Sequence, residues 1–404
     1  MEFDLPYPTP GGGSRSGEAA ARVNGPAAGR TIWVEAPARL HLGFLDPAGS
    51  LGRPFGSLGL SVSAPVTRLS LVGGERVGGV TASAAVPEGE RERAERHLHE
   101  LQRRSGRHEP LALHLDDTLA AHAGLGSGTQ LALAVGRAFA RWHGLDLPTV
   151  ALAAWLGRGL RSGVGIAGFD QGGLLLDGGP LADGSPAPLL ARLALPPAWR
   201  VLLVSDPQCQ GLSGSAERSA LAALAPLPQA AAAAICHETL MRVLPGAAGA
   251  GFAAAAQGIG RIQQILGDHF APAQGGDAFV SRPVGRLLRW IERQAQQPAA
   301  GLAAADLGAG IGQSSWGPTG FALLPSTARA QQLLGAARAA GLVDAGLSLR
   351  IVEPLNRGAR VIEHPVRAQD AAGDPAAADV PRRADDGCPP PPRCAAPLRA
   401  WPQG

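Results

Sequence analysis

The run His122-Ala-Gly-Leu-Gly-Ser-Gly-Thr-Gln130 sets Gly124, Gly126 and Gly128 directly ahead of an amphipathic pattern. Glycines at that spacing let the backbone approach an anion closely, and the first turn of a following helix aims its N–H groups at the same point. Phosphate is the natural occupant. Ser127 and Thr129 add hydroxyls that can bind a phosphate oxygen or a metal-bound water. A glycine turn that merely caps a helix is the plainer reading, and a lone glycine-rich loop is a weak motif. The paired hydroxyls favour a binding loop.

Three further segments carry candidate chemistry. In Ala36-Pro-Ala-Arg-Leu-His-Leu-Gly-Phe-Leu-Asp46, strand alternation puts Arg39 and His41 on one face, where an arginine can grip an acidic ligand. Taken alone, the histidine reads more simply as a satisfied buried side chain. Arg53, before a glycine-rich turn, is a weaker candidate for the same ligand. The stretch Gly157–Gly173 packs seven glycines, two arginines and one carboxylate into seventeen residues, a composition no core helix or strand needs. It predicts a segment that wraps a ligand or is pinned by tight turns. Arg158 and Arg161 can converge on one anion; Asp170 is either a functional acid or a turn former. Last, Gly310-Ile-Gly-Gln-Ser-Ser315 offers small residues and hydroxyls before a strand, and Trp316 is either a stacking platform or, more commonly, packing. His237-Glu238 and the alternating charges of Arg91–Arg107 read as solvated surfaces.

The elements that must position these groups alternate in type. Strand signals fall at Thr31–Glu35, Leu58–Val62, Thr67–Val72, Leu111–Leu115, Gly173–Asp177, Arg200–Ser205, Thr319–Leu324 and Leu347–Glu353. Helical patterns fall at Thr129–His143, Leu147–Arg158, Ala216–Leu224, Phe252–Leu266, Val284–Gln296 and Ala328–Ala340. The mixed order predicts an α+β fold. Residues 1–30 and 367–404, rich in Gly, Pro, Ala and Arg, are expected to be disordered tails. The proline-interrupted stretch Asp183–Pro197 is the expected boundary between a domain of residues 31–185 and one of residues 186–366.

Composition excludes several function classes. Every one of the 36 basic residues is arginine, which rules out Schiff-base chemistry and the lysine-bearing phosphate loop. A formal charge of +3 with scattered arginines predicts neither nucleic-acid nor membrane binding. Four cysteines without paired spacing argue against a structural metal or disulfide framework. The start shows no basic region followed by an apolar one, and no apolar stretch reaches membrane-spanning length, so a cytoplasmic protein is expected.

In order, these segments resemble the GHMP kinase superfamily, whose members carry an N-terminal Gly-Leu-Gly-Ser-type phosphate loop, matched by Ala123–Thr129, and a C-terminal glycine-rich motif, similar to Gly310–Ser315. Within it, Ala38–Asp46, Gly124–Gln130, Arg161–Gly173 and Gly312–Pro318 resemble the β-ribofuranosylaminobenzene 5'-phosphate synthase family, over roughly Val34 to Val361. One departure is Asp170, where the family carries Glu. The resemblance implies two GHMP-kinase-like domains, a mixed-sheet N-terminal one with the phosphate loop and a ferredoxin-like C-terminal one. It implies condensation of phosphoribosyl diphosphate with 4-hydroxybenzoate or 4-aminobenzoate, releasing CO₂ and diphosphate, early in tetrahydromethanopterin biosynthesis. It further implies Mg²⁺ with no redox or organic cofactor, small-molecule substrates, and a homodimer. Asp170 and His41 then become catalytic candidates, and Asp170 and Ser127 candidate Mg²⁺ ligands. Candidate substrate contacts are Arg39, Arg53, Gly124, Gly126, Ser127, Gly128, Thr129, Gln130, Arg158, Arg161, Ser162, Gly312, Gln313, Ser314 and Ser315. Two rival functions remain: an ATP-dependent small-molecule kinase with Asp170 as base, and a non-catalytic phosphoribosyl- or nucleotide-binding module.

Overall fold

A computed structural model of the chain describes residues 30–73, 78–211, 219–220, 222–298 and 303–365. The two expected tails, apart from residue 30, lie outside the described residues, as do 216–218 and 221 of the helix expected over 216–224; residues 219–220 and 222–223 are helical. Two long antiparallel strands, β1 (Arg30–Asp46) and β2 (Phe55–Gly73), form the spine of the molecule. The two strand signals at Leu58–Val62 and Thr67–Val72 are one continuous strand. Toward its C-terminal end β2 pairs with β4 (Leu111–Asp117), which pairs in parallel with β3 (Gly79–Ala82). Toward its N-terminal end it pairs with β5 (Leu174–Asp177), which pairs with β6 (Leu189–Leu193). The last strand, β11 (Arg360–Pro365), returns to β1 and completes a seven-stranded mixed sheet. Residues on both sides of the Asp183–Pro197 stretch therefore build this first sheet.

One face of that sheet is covered by α1 (Glu88–Ser105), α2 (Ser127–His143), α3 (Thr149–Trp155) and α4 (Val164–Asp170). The spacing that predicts α2 is realised: Leu131, Val135, Ala138, Phe139 and Trp142 are all buried. The Arg91–Arg107 run belongs to α1 as far as Ser105 and is amphipathic rather than wholly solvated, since Ala94, Leu98 and Leu101 face the core. Beneath the other face lie α5 (Gln229–Glu238) and α6 (Phe252–Phe270), sandwiched against a second, four-stranded antiparallel sheet. Its order is β10 (Ser348–Val352), β7 (Arg200–Ser205), β9 (Thr319–Leu324), β8 (Gly310–Gln313). The helices α7 (Arg282–Ala295) and α8 (Thr327–Ala339) close its far side. Strand alternation makes this layering possible, because Leu202 and Val204 face α7 and α8 while Val201 and Leu203 face α5 and α6.

The sequence expectation fails at α4. The composition of the run 157–173 predicts no regular structure, yet its second half is a buried helix. The glycines serve close packing: a Cβ on Gly165 would stand 3.1 Å from Thr129 Cγ2, and one on Gly168 2.9 Å from Ser61 Oγ. Gly310–Ser315 does precede a strand, β9, and its first four residues are themselves a strand, β8, joined to β9 by the turn at 314–318.

Candidate active site

The glycine loop is built from two left-handed residues, Gly124 (φ +83°) and Gly126 (φ +79°), and α2 begins immediately after, at Ser127. A helix start leaves its first N–H groups without intrahelical acceptors, which makes it an anion site; here Thr129 N–H is taken by Gly126 O at 3.1 Å, so the donors offered are those of Ser127 and Gly128. The loop is held from behind by the β8–β9 turn. Ser314 Oγ donates to the Gly124 carbonyl at 2.6 Å and accepts from the His41 N–H at 2.9 Å, so one buried serine ties the loop, the turn and β1 together. Fit is close here: a Cβ on Gly317 would lie 2.3 Å from Gly124 N.

Side chains from three segments converge on the loop. Arg39, whose N–H donates to Leu125 O at 3.1 Å, runs its side chain past Gly126; a Cβ there would be 3.4 Å from Arg39 Cγ and 3.6 Å from Cζ. His41 follows on the same face, as alternation predicts. It pairs with Gly59, and Arg39 with Ser61, both of which face α4. Burial, together with the charges of Arg39 and Arg161, pushes the His41 pKa well below its ordinary value, so the imidazole is neutral at neutral pH. Arg161 thus joins Arg39 within electrostatic reach of His41. Arg158 reaches the first turn of α2 from the other side, where a Cβ on Gly128 would be 3.3 Å from its Nη1. Its Nη2 lies 3.3 Å from His97 Nε2, and burial with the neighbouring arginine charge lowers the His97 pKa to about 3. A neutral His97 can accept that N–H. Ser127 and Thr129 occupy the first turn of α2, and Ser127 is buried.

Other candidates are placed elsewhere. Asp170 stands exposed at the far end of α4, where its carboxylate accepts a hydrogen bond from the Thr149 hydroxyl, itself bonded by Arg137. Arg137 is ten residues along α2 from Ser127, about 15 Å at the helical rise. The structure therefore does not bring Asp170 to the loop as expected for a base or a Mg²⁺ ligand. The reason is that the run is helical, which carries residue 170 away from residue 163. Asp170→Asn should keep turnover and its dependence on added Mg²⁺ within a few-fold of wild type, because an amide oxygen can still accept from Thr149. A hundredfold fall in turnover would return the residue to the reaction. Arg53 lies exposed in the turn between β1 and β2. Gln130 is fully buried and donates to Gly165 O at 2.9 Å, and Gln313 bonds Gln274 and Ser315 O, so both are parts of the scaffold. Gly312 packs against Gln263, and Ser315, at φ +55°, faces a cleft beside the loop.

Sequence reasoning missed Asp177. This residue, 1% exposed at the end of β5, accepts from Gly163 N at 2.7 Å, Val164 N at 3.2 Å and Ser162 Oγ at 3.2 Å through one oxygen, and from Gly179 N at 2.9 Å through the other. It caps α4 and takes Ser162, expected to meet substrate, as a partner. Burial raises its pKa and these hydrogen bonds oppose the rise. A strand-end Asp before Gly-Gly looks like an ordinary turn, and nothing local reveals a partner fourteen residues upstream.

Chemically, the arrangement is a cationic, partly dry cradle: backbone donors and hydroxyls at a helix start, arginines on either side, and a neutral imidazole close by. It suits departure of a phosphate-bearing group. Residues 92–176 match the family model described as the GHMP kinases N terminal domain. The chain is 33% identical over 310 residues to the beta-ribofuranosylphenol 5'-phosphate synthase of Archaeoglobus fulgidus, covering 73% of this chain and 88% of that protein. A protein of the same name from Methanothermobacter thermautotrophicus is 31% identical over 229 residues, covering 52% and 69%. Among solved structures, mevalonate pyrophosphate decarboxylase from Streptococcus pyogenes aligns with a TM-score of 0.58 at 11% identity, covering 82% of this chain and 99% of that one. Homoserine kinase from Cytophaga hutchinsonii aligns at 0.55 and 16%, covering 82% and 97%. These last two likenesses are of fold.

Proposed function

The chain belongs to the beta-ribofuranosylphenol 5'-phosphate synthase family, on the GHMP kinase fold, and we propose that it joins phosphoribosyl diphosphate to a para-substituted benzoate, releasing CO₂ and diphosphate. The relatives' name specifies a phenol, which favours 4-hydroxybenzoate over 4-aminobenzoate as the acceptor. The observation that carries the reading at the level of residues is the meeting of Arg39 with the glycine loop, with Arg161 beside His41.

In this reaction the bond from ribose C1 to the diphosphate oxygen breaks, leaving an oxocarbenium-like carbon. The ring carbon that bears the carboxylate attacks it, forming the new C–C bond. The bond to the carboxylate then breaks, its electron pair restores aromaticity, and CO₂ leaves. No ring proton is removed, so the protein's tasks are alignment and stabilisation of the charge growing on diphosphate. The loop N–H groups, Ser127 and Arg39 hold that diphosphate, while Arg161 holds the carboxylate of the acceptor. Among the described residues no cluster of three or more His, Cys, Asp or Glu could cage a metal. A Mg²⁺ ion carried in on the diphosphate would draw most of its ligands from that group and water, and the Ser127 hydroxyl at the start of α2 would be its protein contact. Bound there, the ion would neutralise charge on the leaving group.

Arg39→Ala should weaken phosphoribosyl diphosphate binding ten- to a hundredfold, and Arg161→Ala should weaken aromatic-acid binding by a similar factor, since each removes a charge-assisted contact worth about 1.5–3 kcal/mol. Calorimetric titration of each substrate checks the pair; the reverse pattern exchanges the two assignments. The reaction itself is tested by incubating the purified chain with phosphoribosyl diphosphate, Mg²⁺ and 4-hydroxybenzoate and measuring CO₂ and diphosphate. One CO₂ per diphosphate supports the reading. Phosphorylation of an alcohol by ATP without CO₂ would replace it with a kinase.

A further inference from the structure

Beside the loop, a cleft lies between β1, the end of α6 and the β8–β9 turn, with His41 among the residues of its wall. Its walls include Phe44, Phe270 and Trp316. The Phe270 and Trp316 ring centroids are 4.9 Å apart, and Phe44 meets the His41 ring edge-on at 4.5 Å. The polar side chains in the wall are largely satisfied by the protein: Gln263 donates to Leu42 O at 2.6 Å and accepts from Gln313 N at 2.8 Å, and Gln313 donates to Gln274 at 2.8 Å. His41 is the exception. The residue is 4% exposed and its Nε2 is buried with no hydrogen-bond partner among the described residues.

Buried polar atoms in native proteins are paired, and one left over on a residue that lines a cavity points to a ligand atom as its partner. The shape and the charge of the cleft agree on what that ligand is. Aromatic walls suit a planar ring, which gains from offset and edge contacts. Arg39 and Arg161 lie near enough to His41 to act on its charge, and a ligand carboxylate at that end can accept the hydrogen bond that Nε2 lacks. We propose that this cleft seats the ring of the aromatic acid among Phe44, Phe270 and Trp316, with its carboxylate end at His41 Nε2 beside the two arginines. The inference rests on the reaction proposed above and assigns the acceptor subsite within it. Being neutral, the imidazole has one N–H, which at Nε2 donates to the carboxylate without adding a third positive charge to the site. The acid's reacting carbon then faces the loop, where the ribose carbon of a bound diphosphate must lie.

The test uses the full chain and calorimetric titration with 4-hydroxybenzoate and, separately, with phosphoribosyl diphosphate. His41→Leu keeps volume and removes the hydrogen bond; the acid should bind ten- to a hundredfold more weakly, and the diphosphate within about twofold of wild type. His41→Gln, which restores a donor near the Nε2 position, should recover most of that loss. Phe270→Leu, at a half-buried position that tolerates the change, should weaken the acid up to about tenfold. Acid affinity equal to wild type in folded His41→Leu and Phe270→Leu overturns the cleft assignment, and undiminished CO₂ release in the same variants would leave the reaction standing. Should His41→Leu fail to fold, His41→Gln and Phe270→Leu decide. Wild-type protein that binds 4-hydroxybenzoate, loses it in these variants and yet releases no CO₂ keeps the cleft and overturns the reaction. Failure of the wild type to bind the acid overturns both.

Discussion

Gly126→Val should abolish phosphoribosyl diphosphate binding, lowering affinity a hundredfold or more, while the protein stays folded. Two effects add at this position. A β-branched residue at φ +79° is forced into a region that only glycine occupies freely, at a cost of about 1–3 kcal/mol. Its Cβ would stand 3.4 Å from Arg39 Cγ and 3.5 Å from Nε, before the two methyl groups are counted. The valine therefore pushes on the side chain proposed to grip the diphosphate and fills the space the diphosphate must approach. Gly144 gives the control, because it ends the same helix at φ +64° and a Cβ there would meet nothing within 4 Å. Gly144→Val should show backbone strain in its melting temperature and unchanged binding. If Gly126→Val binds diphosphate as wild type does, the loop is only a helix cap.

The contrast between those two glycines shows what sequence can and cannot convey. The loop and α2 are legible because both depend on local rules: glycine where φ is positive, and apolar residues at helical spacing. The same rules mislead over 157–173. There Gly165 and Gly168 are present because α4 packs tightly on α2 and β2, and Gly163 because a Cβ there would stand 2.6 Å from Ala187 O, all of them tertiary demands. Composition suggests flexibility where the fold requires close approach. Asp170 stands out as the run's single acid, yet being alone in sequence says nothing of direction in space. Arg39 and His41 are legible as a pair by strand alternation. Their joining to the loop by Ser314, 190 residues from Gly124, is long-range and carries no local signal.

Asp177, hidden for that reason, should prove the most sensitive polar position for stability. Asp177→Ala leaves the N–H groups of Gly163, Val164 and Gly179 buried without their acceptor, and each such loss costs about 1–3 kcal/mol. A two-turn helix has little cooperative reserve against this. A fall in unfolding free energy of about 3 kcal/mol or more follows, read as a lower urea midpoint at unchanged slope. Asp177→Asn separates the hydrogen bonds from the charge. Its oxygen can still take the three donors of the α4 start, and burial of a charge, which raises the Asp177 pKa, no longer opposes folding. Its amide NH₂ must then face the Gly179 N–H, donor to donor, so Asn should fall between wild type and Ala. Function should track the same order, because this cap fixes Ser162 and Gly163, and through them the neighbouring Arg161. Acid binding should weaken in Asp177→Asn even at temperatures where the protein is fully folded, while diphosphate binding, held by Arg39 and α2, should hold. Equal stability of Asp177→Ala and wild type would mean that water replaces the cap and that α4 needs no anchor.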